Sequence, residues 1–437
     1  MKNRESCIGR IISRRQWLKS AVAATAAVST PVLVSVSAFG SEARPAPSNR
    51  LTMAVIGIGS MGLRNLQAFL AENDCQVTAV CDVDAARRQE AANIVNKHYD
   101  DRGCAQYNDF REVIARKDID LLCLSLPDHW HSIPAIMGLA AGKDIYGEKP
   151  LAYTVAEGRA MVDAVQRYGR VWQTGSWQRS VPHFQFACEL VRKGYIGRLK
   201  YAEVGIGFGP ATTPQPVMPV PEGFDYEMWL GPAPLAPYTE QRCHFNFRWI
   251  SDYGGGQVTD WGAHHIDIAQ WGMDTEYTGP VEIEGAGKFP TEGLWDTAMT
   301  YRFECRYANG LRMIVASEDV YDNGVRFVGD KGWIHVDRNQ VDAEPKSLLR
   351  ERLTNGMARN LKDRQSHRRN FLDCVKNRAT PISNIEVAQR SITIGHLGNI
   401  AMQLGRKVRW DSRTESVIGD LSAQQMLSRS VRGQWTM

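Results

Sequence analysis

Residues 51–62 read LTMAVIGIGSMG. Leu51 to Ile58 is an apolar, β-branched run broken by the glycines. Leu63, Leu66, Phe69 and Leu70 then follow at helical spacing. That order, strand then glycine turn then helix, is the setting in which a G-x-G-x-x-G motif cradles a dinucleotide. Gly57 permits the tight turn, Gly59 lets the backbone approach a pyrophosphate, and Gly62 allows the helix to pack closely on the strand. Ser60 and Met61 lie within this turn, ahead of the helix whose amino end is aimed at the phosphates. A second apolar run, Val77 to Cys81, ends in Asp82, twenty positions after Gly62. An acid there can accept the ribose hydroxyls, which favours NAD; Arg87 and Arg88 nearby keep NADP open as an alternative.

Outward from this stretch the βα rhythm continues. Helical spacing is expected near Ala85 to Lys97 and Phe110 to Ala115, with a turn around Tyr107 and a strand from Leu121 to Leu126. That strand stops at Pro127-Asp128-His129-Trp130-His131, so Ser125, Pro127 and His131 are expected where ligands bind, at the carboxyl ends of parallel strands. A further strand leads into Tyr146-Gly147-Glu148-Lys149-Pro150. From Val171 the rhythm gives way to longer strand-like segments, including Leu199 to Phe208, Met299 to Arg306 and Arg312 to Ala316. The expectation is an α/β chain: a Rossmann dinucleotide-binding domain over 51–172, then an α+β domain over 173–437 with a large, mostly antiparallel open sheet. The Pro-rich segment from Gly209 to Pro221 reads as an irregular loop near the site.

The stretch richest in chemical groups runs from Cys243 to Asp267. Asp260 and His264 stand four apart and share a helix face, with Asp267 three further on and Gly254-Gly255-Gly256 just upstream. The glycines would let a substrate approach the backbone. Trp177, Gln178, Arg179, His183, Arg248, Trp249, Tyr253 and His265 supply aromatic faces and directional hydrogen bonds, a combination suited to a sugar. Taken singly, Lys149-Pro150 reads as a surface turn, and Asp260 with His264 as a solvated helix face.

Glu148-Lys149-Pro150 downstream of the glycine motif, together with D-x-x-x-H at Asp260 and His264, resembles the Gfo/Idh/MocA oxidoreductases across almost all of residues 51–437. The resemblance implies a cis peptide before Pro150, Glu148 and Lys149 near the nicotinamide, and a homo-oligomer, dimer or tetramer, joined through the large sheet. It implies Lys149, Asp260 and His264 as the catalytic group: His264 exchanging the proton, Lys149 steadying the oxygen, Asp260 beside the reacting carbon. It also leaves three activities to weigh. The first is oxidation of a secondary hydroxyl of a sugar or glycoside with tightly held NAD. The second is redox-neutral, NAD-dependent glycoside cleavage, and the third a silent sugar-binding protein on the same fold.

The formal charge of the 437 residues is +4, yet residues 1–40 hold six basic side chains against Glu5 alone, so the rest is close to neutral. That body offers no basic face for nucleic acid. The nine cysteines show no C-x-x-C pair or metal-ligand spacing, and are expected as free core residues with no metal. Arg14-Arg15 stands ahead of a weakly apolar stretch, Ser20 to Phe39, and resembles a twin-arginine signal peptide over residues 1–40, with 41–50 as a linker. Such a leader implies the twin-arginine export machinery as a partner, a periplasmic or secreted location, and no permanent membrane span. Trp271 and Trp333 are expected in the core, and His335, His367 and His396 are expected to be structural.

Overall fold

The apolar run at residue 51 forms strand β1 (Leu51–Ile56), and the glycine turn delivers the chain into helix α1 (Ser60–Leu70). Alternation continues through β2 (Cys75–Cys81), α2 (Ala85–Tyr99), β3 (Ala105–Tyr107), α3 (Phe110–Ala115) and β4 (Leu121–Leu124). It ends with α4 (Ser132–Ala140), β5 (Asp144–Gly147), α5 (Val155–Tyr168) and β6 (Trp172–Thr174). The computed structural model describes residues 45–351, 366–433 and 435, so the leader and the first four residues of the linker lie outside the described residues.

These six strands make one parallel sheet in the order β3-β2-β1-β4-β5-β6. β4 is buried throughout and β1 along its last four residues, which is why both read as unbroken apolar runs and not as alternating ones. Strand order reverses between β1 and β4, and that switch opens a crevice at their carboxyl ends. Tyr107 closes strand β3, where a turn was expected. β4 stops at Leu124, leaving Ser125 to Pro127 to cross over the end of β1, with the Ser125 amide donating to Ile56 at 2.9 Å. Helix limits follow local chemistry: Asp84 caps α2 by accepting two amides, Thr154 caps α5, and Gly169 ends α5 at φ 60°.

The second half adds α6 (Pro182–Arg192), β7 (Leu199–Ile206), α7 (Tyr226–Leu230), α8 (Gln257–Asp260) and α9 (Gly262–Gly272). Strands β8 (Glu282–Lys288), β9 (Thr300–Arg306), β10 (Arg312–Ser317), β11 (Gly324–Gly329), β12 (Trp333–Val336) and β13 (Val341–Glu344) follow. Then come α10 (His367–Asn377), α11 (Ile385–Leu404), β14 (Val408–Asp411), β15 (Ser416–Val417) and α12 (Leu421–Gln425). Nine strands pair as β13-β12-β11-β7-β10-β9-β8-β14-β15, all antiparallel except the β7–β10 pair. One face is buried under α9 and α11 through a cluster that includes Ile266, Trp271, Phe303, Phe327 and Leu397.

The chain then returns to the first sheet. α10 packs Phe371 against Phe69 and Tyr146, at ring separations of 6.3 and 5.9 Å. Residues 173–174 and α10 therefore complete the nucleotide-binding half, although both lie beyond residue 172. Trp333, expected in the core, is only partly buried beneath the Arg326 guanidinium, 4.2 Å from the ring centre. The eight described cysteines are buried and free. Among the described residues no helix is long and apolar enough to cross a membrane.

Candidate active site

Two cavities meet at the carboxyl ends of the parallel strands. The first lies over the glycine turn and is bordered by Gly57, Gly59, Ser60, Met61, Asp82, Ser125 and Pro127, among others. Gly57 has φ +86°, and a Cβ there would stand 2.3 Å from the Ser125 oxygen; one on Gly62 would stand 1.9 Å from the Gly57 oxygen. Backbone already fills both spaces. Gly59 differs: a Cβ would meet only the Arg87 guanidinium, at 3.7 Å, so this backbone is open to a ligand. No side chain caps the start of α1, which leaves its first amides aimed at an anion.

Asp82 ties this turn together. Its Oδ2 accepts the Ile58 amide at 2.5 Å and its Oδ1 the Asp84 amide at 2.9 Å. Burial pushes its pKa up, opposed by those same amides. A carboxylate has about four acceptor sites, so a ribose hydroxyl can still be received. Open glycine backbone, free helix amides and a carboxylate at the end of β2 together fit NAD.

His131 stands behind the wall, its ring between the carbonyls of Leu126 (2.8 Å) and Pro150 (2.6 Å). It fixes the loops that hold the ligand and does not border either cavity. Glu148 borders the second cavity and accepts from Asn65 at 2.8 Å, while the Lys149–Pro150 peptide is cis.

That second cavity opens directly from the first. Ser60, Met61, Ser125, Leu126, Phe245 and Arg248 border both. Lys149 reaches in from the loop after β5; Asp260 ends α8 and His264 lies in the first turn of α9, with Trp261 between the helices. Lys149 Nζ donates to Asp260 Oδ1 at 2.5 Å and to the Asp260 carbonyl at 3.0 Å. Arg248 Nε donates to the same carboxylate oxygen at 3.2 Å. Burial alone would raise the Asp260 pKa, but Lys149 and Arg248 outweigh it and hold the carboxyl below its ordinary range. An ammonium carries three N–H groups, and two are taken here.

His264 is buried, and its Nδ1 has no partner among the described residues. Burial first, then the charges of Lys149 and Arg338, push its pKa well below that of an ordinary histidine. The ring is therefore neutral at pH 7. Close by, burial holds the Asp128 carboxyl at about 7, against the opposing charge of Arg248.

Trp177, His183 and Arg248 border this cleft, as read from the sequence. Arg179, Trp249, Tyr253 and His265 do not. Arg179 is buried between Asp267 (2.6 Å) and Glu276 (2.7 Å), over the Trp271 ring, and Gln178 is buried beside it in sequence. Trp249 packs toward Trp295, Tyr253 against Trp229, and His265 against Trp261 with its Nε2 3.2 Å from Asn323. Spacing placed these residues near the motif, but their side chains turn into the protein. The glycine run serves packing as well: a Cβ on Gly255 would stand 2.5 Å from Thr259, and one on Gly256 2.7 Å from Thr297. The 209–221 loop borders neither cavity. His367 does line the cleft, but Ser180 (2.7 Å) and the Thr174 carbonyl (2.8 Å) occupy both ring nitrogens.

Sequence reasoning missed Arg338, Phe245 and Trp261 in this wall. Trp261 lies inside the quoted motif and was legible there. Nothing local marks Arg338, which arrives from a distant hairpin. Among the described residues, no group of three or more histidine, cysteine, aspartate and glutamate side chains is placed to hold a metal ion.

Comparison with known proteins matches this architecture in both halves. Residues 51–176 match the model described as an oxidoreductase family, NAD-binding Rossmann fold, and residues 209–437 its C-terminal alpha/beta domain. A glycosyl hydrolase family 109 protein of Shewanella baltica is 28% identical over 211 residues, 44% of this chain and 45% of its own length. An alpha-N-acetylgalactosaminidase of Shewanella oneidensis matches over the same extent at 28%. The chain thus aligns with less than half the length of these curated relatives. Among solved structures, the WlbA dehydrogenase of Chromobactrium violaceum, in complex with NADH and UDP-GlcNAcA, superposes with a TM-score of 0.63 at 18% identity. That match covers 84% of this chain and 98% of the other. The aldose-aldose oxidoreductase of Caulobacter crescentus gives 0.57 at 19%, covering 82% and 99%.

Proposed function

The chain belongs to the Gfo/Idh/MocA family of NAD-binding oxidoreductases, and from that premise we propose that it oxidises a secondary hydroxyl of a sugar or glycoside with a tightly held NAD. The observation that carries this reading is the junction of the two cavities: six residues border both, and Lys149, Asp260 and His264 stand in the second. Bound NAD supplies the hydride acceptor, held over Gly59 and the start of α1. His264, neutral and bordering the cleft, takes the hydroxyl proton. The remaining N–H of Lys149 holds the oxygen as negative charge grows on it. Asp260 fixes the lysine through their ion pair.

Export belongs to the same proposal. Arg14-Arg15 in the leader supports passage through the twin-arginine machinery to a periplasmic or secreted location, which would require the nucleotide to travel inside the folded protein. Association of two or four copies through the nine-stranded sheet is likewise proposed, on the family resemblance. A second reading, redox-neutral glycoside cleavage, is supported by the likeness to the family 109 glycosyl hydrolases.

The test starts from protein as purified. Nucleotide released by denaturation and identified by mass should be NAD, and a panel of glycosides should include one that raises nicotinamide absorbance. Release of free sugar with no lasting reduction would select the glycosidase reading. Bound, chemically reducible NAD with no turnover of any sugar would leave a binding protein.

A further inference from the structure

Arg338 sits at the tip of the β12–β13 hairpin. Asp337 shapes that tip by accepting the amides of Asn339 (2.6 Å) and Gln340 (2.8 Å). His183 fastens it to the cleft wall through the Asp337 carbonyl at 2.8 Å. The hairpin so held brings the Arg338 guanidinium to 4.7 Å from the Trp177 ring centre and 4.1 Å from that of Trp261. Both rings also flank His264, at 6.3 and 6.1 Å. Arg338 is therefore one ring away from the candidate base.

Among the described residues no carboxylate stands within ion-pair distance of this arginine, and the charge of Asp260 reaches it only from farther off. Arg179 is shared by two carboxylates, and Arg248 has Asp260. Arg338 makes no ion pair or hydrogen bond with any described residue, and its Nε is fully buried without a partner. Among the described residues, the cleft wall holds five lysine and arginine side chains against three carboxylates. Of those three, Asp260 already serves Lys149 and Arg248, and Glu148 serves Asn65. An excess of fixed positive charge in a partly dry site favours an anionic ligand.

Resting on the reading of this cleft as a sugar site, we propose that its substrate carries a carboxylate, a uronate-type sugar or glycoside, and that Arg338 receives that group. The Arg338 side chain is a single fixed charge whose N–H groups lie in one plane, and indole rings pack against it. That geometry suits the flat, singly charged carboxylate, taken by two parallel N–H···O bonds. A dianionic phosphate would call for further donors, and among the described residues Arg338 is the one guanidinium that lies over these two rings. The reacting hydroxyl then lies at Lys149 and His264 while the acid group anchors the far side of the ring.

The experiment titrates the purified holoprotein with methyl glucuronide, methyl glucoside and glucose 6-phosphate. It reads tryptophan fluorescence, which Trp177 and Trp261 report, and nicotinamide absorbance in the same sample. The glucuronide should bind about tenfold or more tighter than the glucoside. That preference should weaken with salt, collapse in Arg338→Met and survive in part in Arg338→Lys. No saturable response to the glucuronide, equal binding of acid and neutral sugars, tighter binding of the phosphate, or an undiminished preference in Arg338→Met would each overturn the proposal. A fall in melting temperature alone, with the preference intact, would make Arg338 a structural clasp for the two tryptophans. Absorbance separates this from the redox reading. A neutral sugar that binds best and reduces the nucleotide would refute only the carboxylate; an acidic sugar that binds through Arg338 without any reduction would refute only the oxidation.

Discussion

The nucleotide pocket and the cleft beside it are built by opposite means. The pocket is made from backbone: Gly57 and Gly62 are there because main-chain atoms fill the space a Cβ would need, and Gly59 leaves its own main chain open. The cleft is made from long side chains, Lys149, Arg248, Asp260, His264 and Arg338, delivered by a loop, a short helical turn, two helix ends and a hairpin tip. A backbone site is specified by neighbours in sequence. A side-chain site is specified by the tertiary fold, and each of its charges depends on the others.

The largest expected effect separates the two regions by function. Lys149→Ala and His264→Ala should each lower turnover by ~10² to 10⁴, while nucleotide occupancy stays close to that of the parent. Loss of nucleotide along with activity would mean that the two cavities are not separable. Next in size is Arg179→Met, which leaves Asp267 buried beside a missing partner and should cost ~3–5 kcal/mol of stability. Sugar KM in the protein that remains folded should hold. A raised KM with unchanged melting would return Arg179 to the substrate. The smallest effect concerns nucleotide choice. Asp82→Ser should shift preference from NAD toward NADP by several-fold, and also loosen nucleotide retention because the Ile58 and Asp84 amides lose their acceptor. A parent protein that already carries NADP would defeat that role for Asp82.

The same contrast explains what could be read in advance. β1, β2, β4 and β5 are short apolar runs punctuated by glycine, proline and acids, so their order and the crevice at their ends were visible in the sequence. Asp260 and His264 were legible too, since a four-residue spacing survives even though Trp261 divides the helix. Arg179 was misplaced because an arginine beside a motif looks the same whether it faces a ligand or Asp267. Arg338 was invisible for the converse reason: its neighbours Asp337, Asn339 and Gln340 announce only a turn. Strands β11 to β13 carry it across the fold to Trp177 and Trp261. The return of α10 to the first sheet, through Phe371 onto Phe69, was hidden for a related cause, since nothing in a single amphipathic helix tells which of two cores it will join.

The account turns on one reactive junction between a retained nucleotide and a sugar. Its most direct measurement is made on extensively dialysed protein with no nucleotide added: a donor sugar is supplied alone, then an acceptor sugar, while nicotinamide absorbance is followed. The prediction is a stoichiometric rise on the first addition and its reversal on the second. Protein that emerges free of nucleotide, and that needs soluble NAD for every turnover, would contradict it.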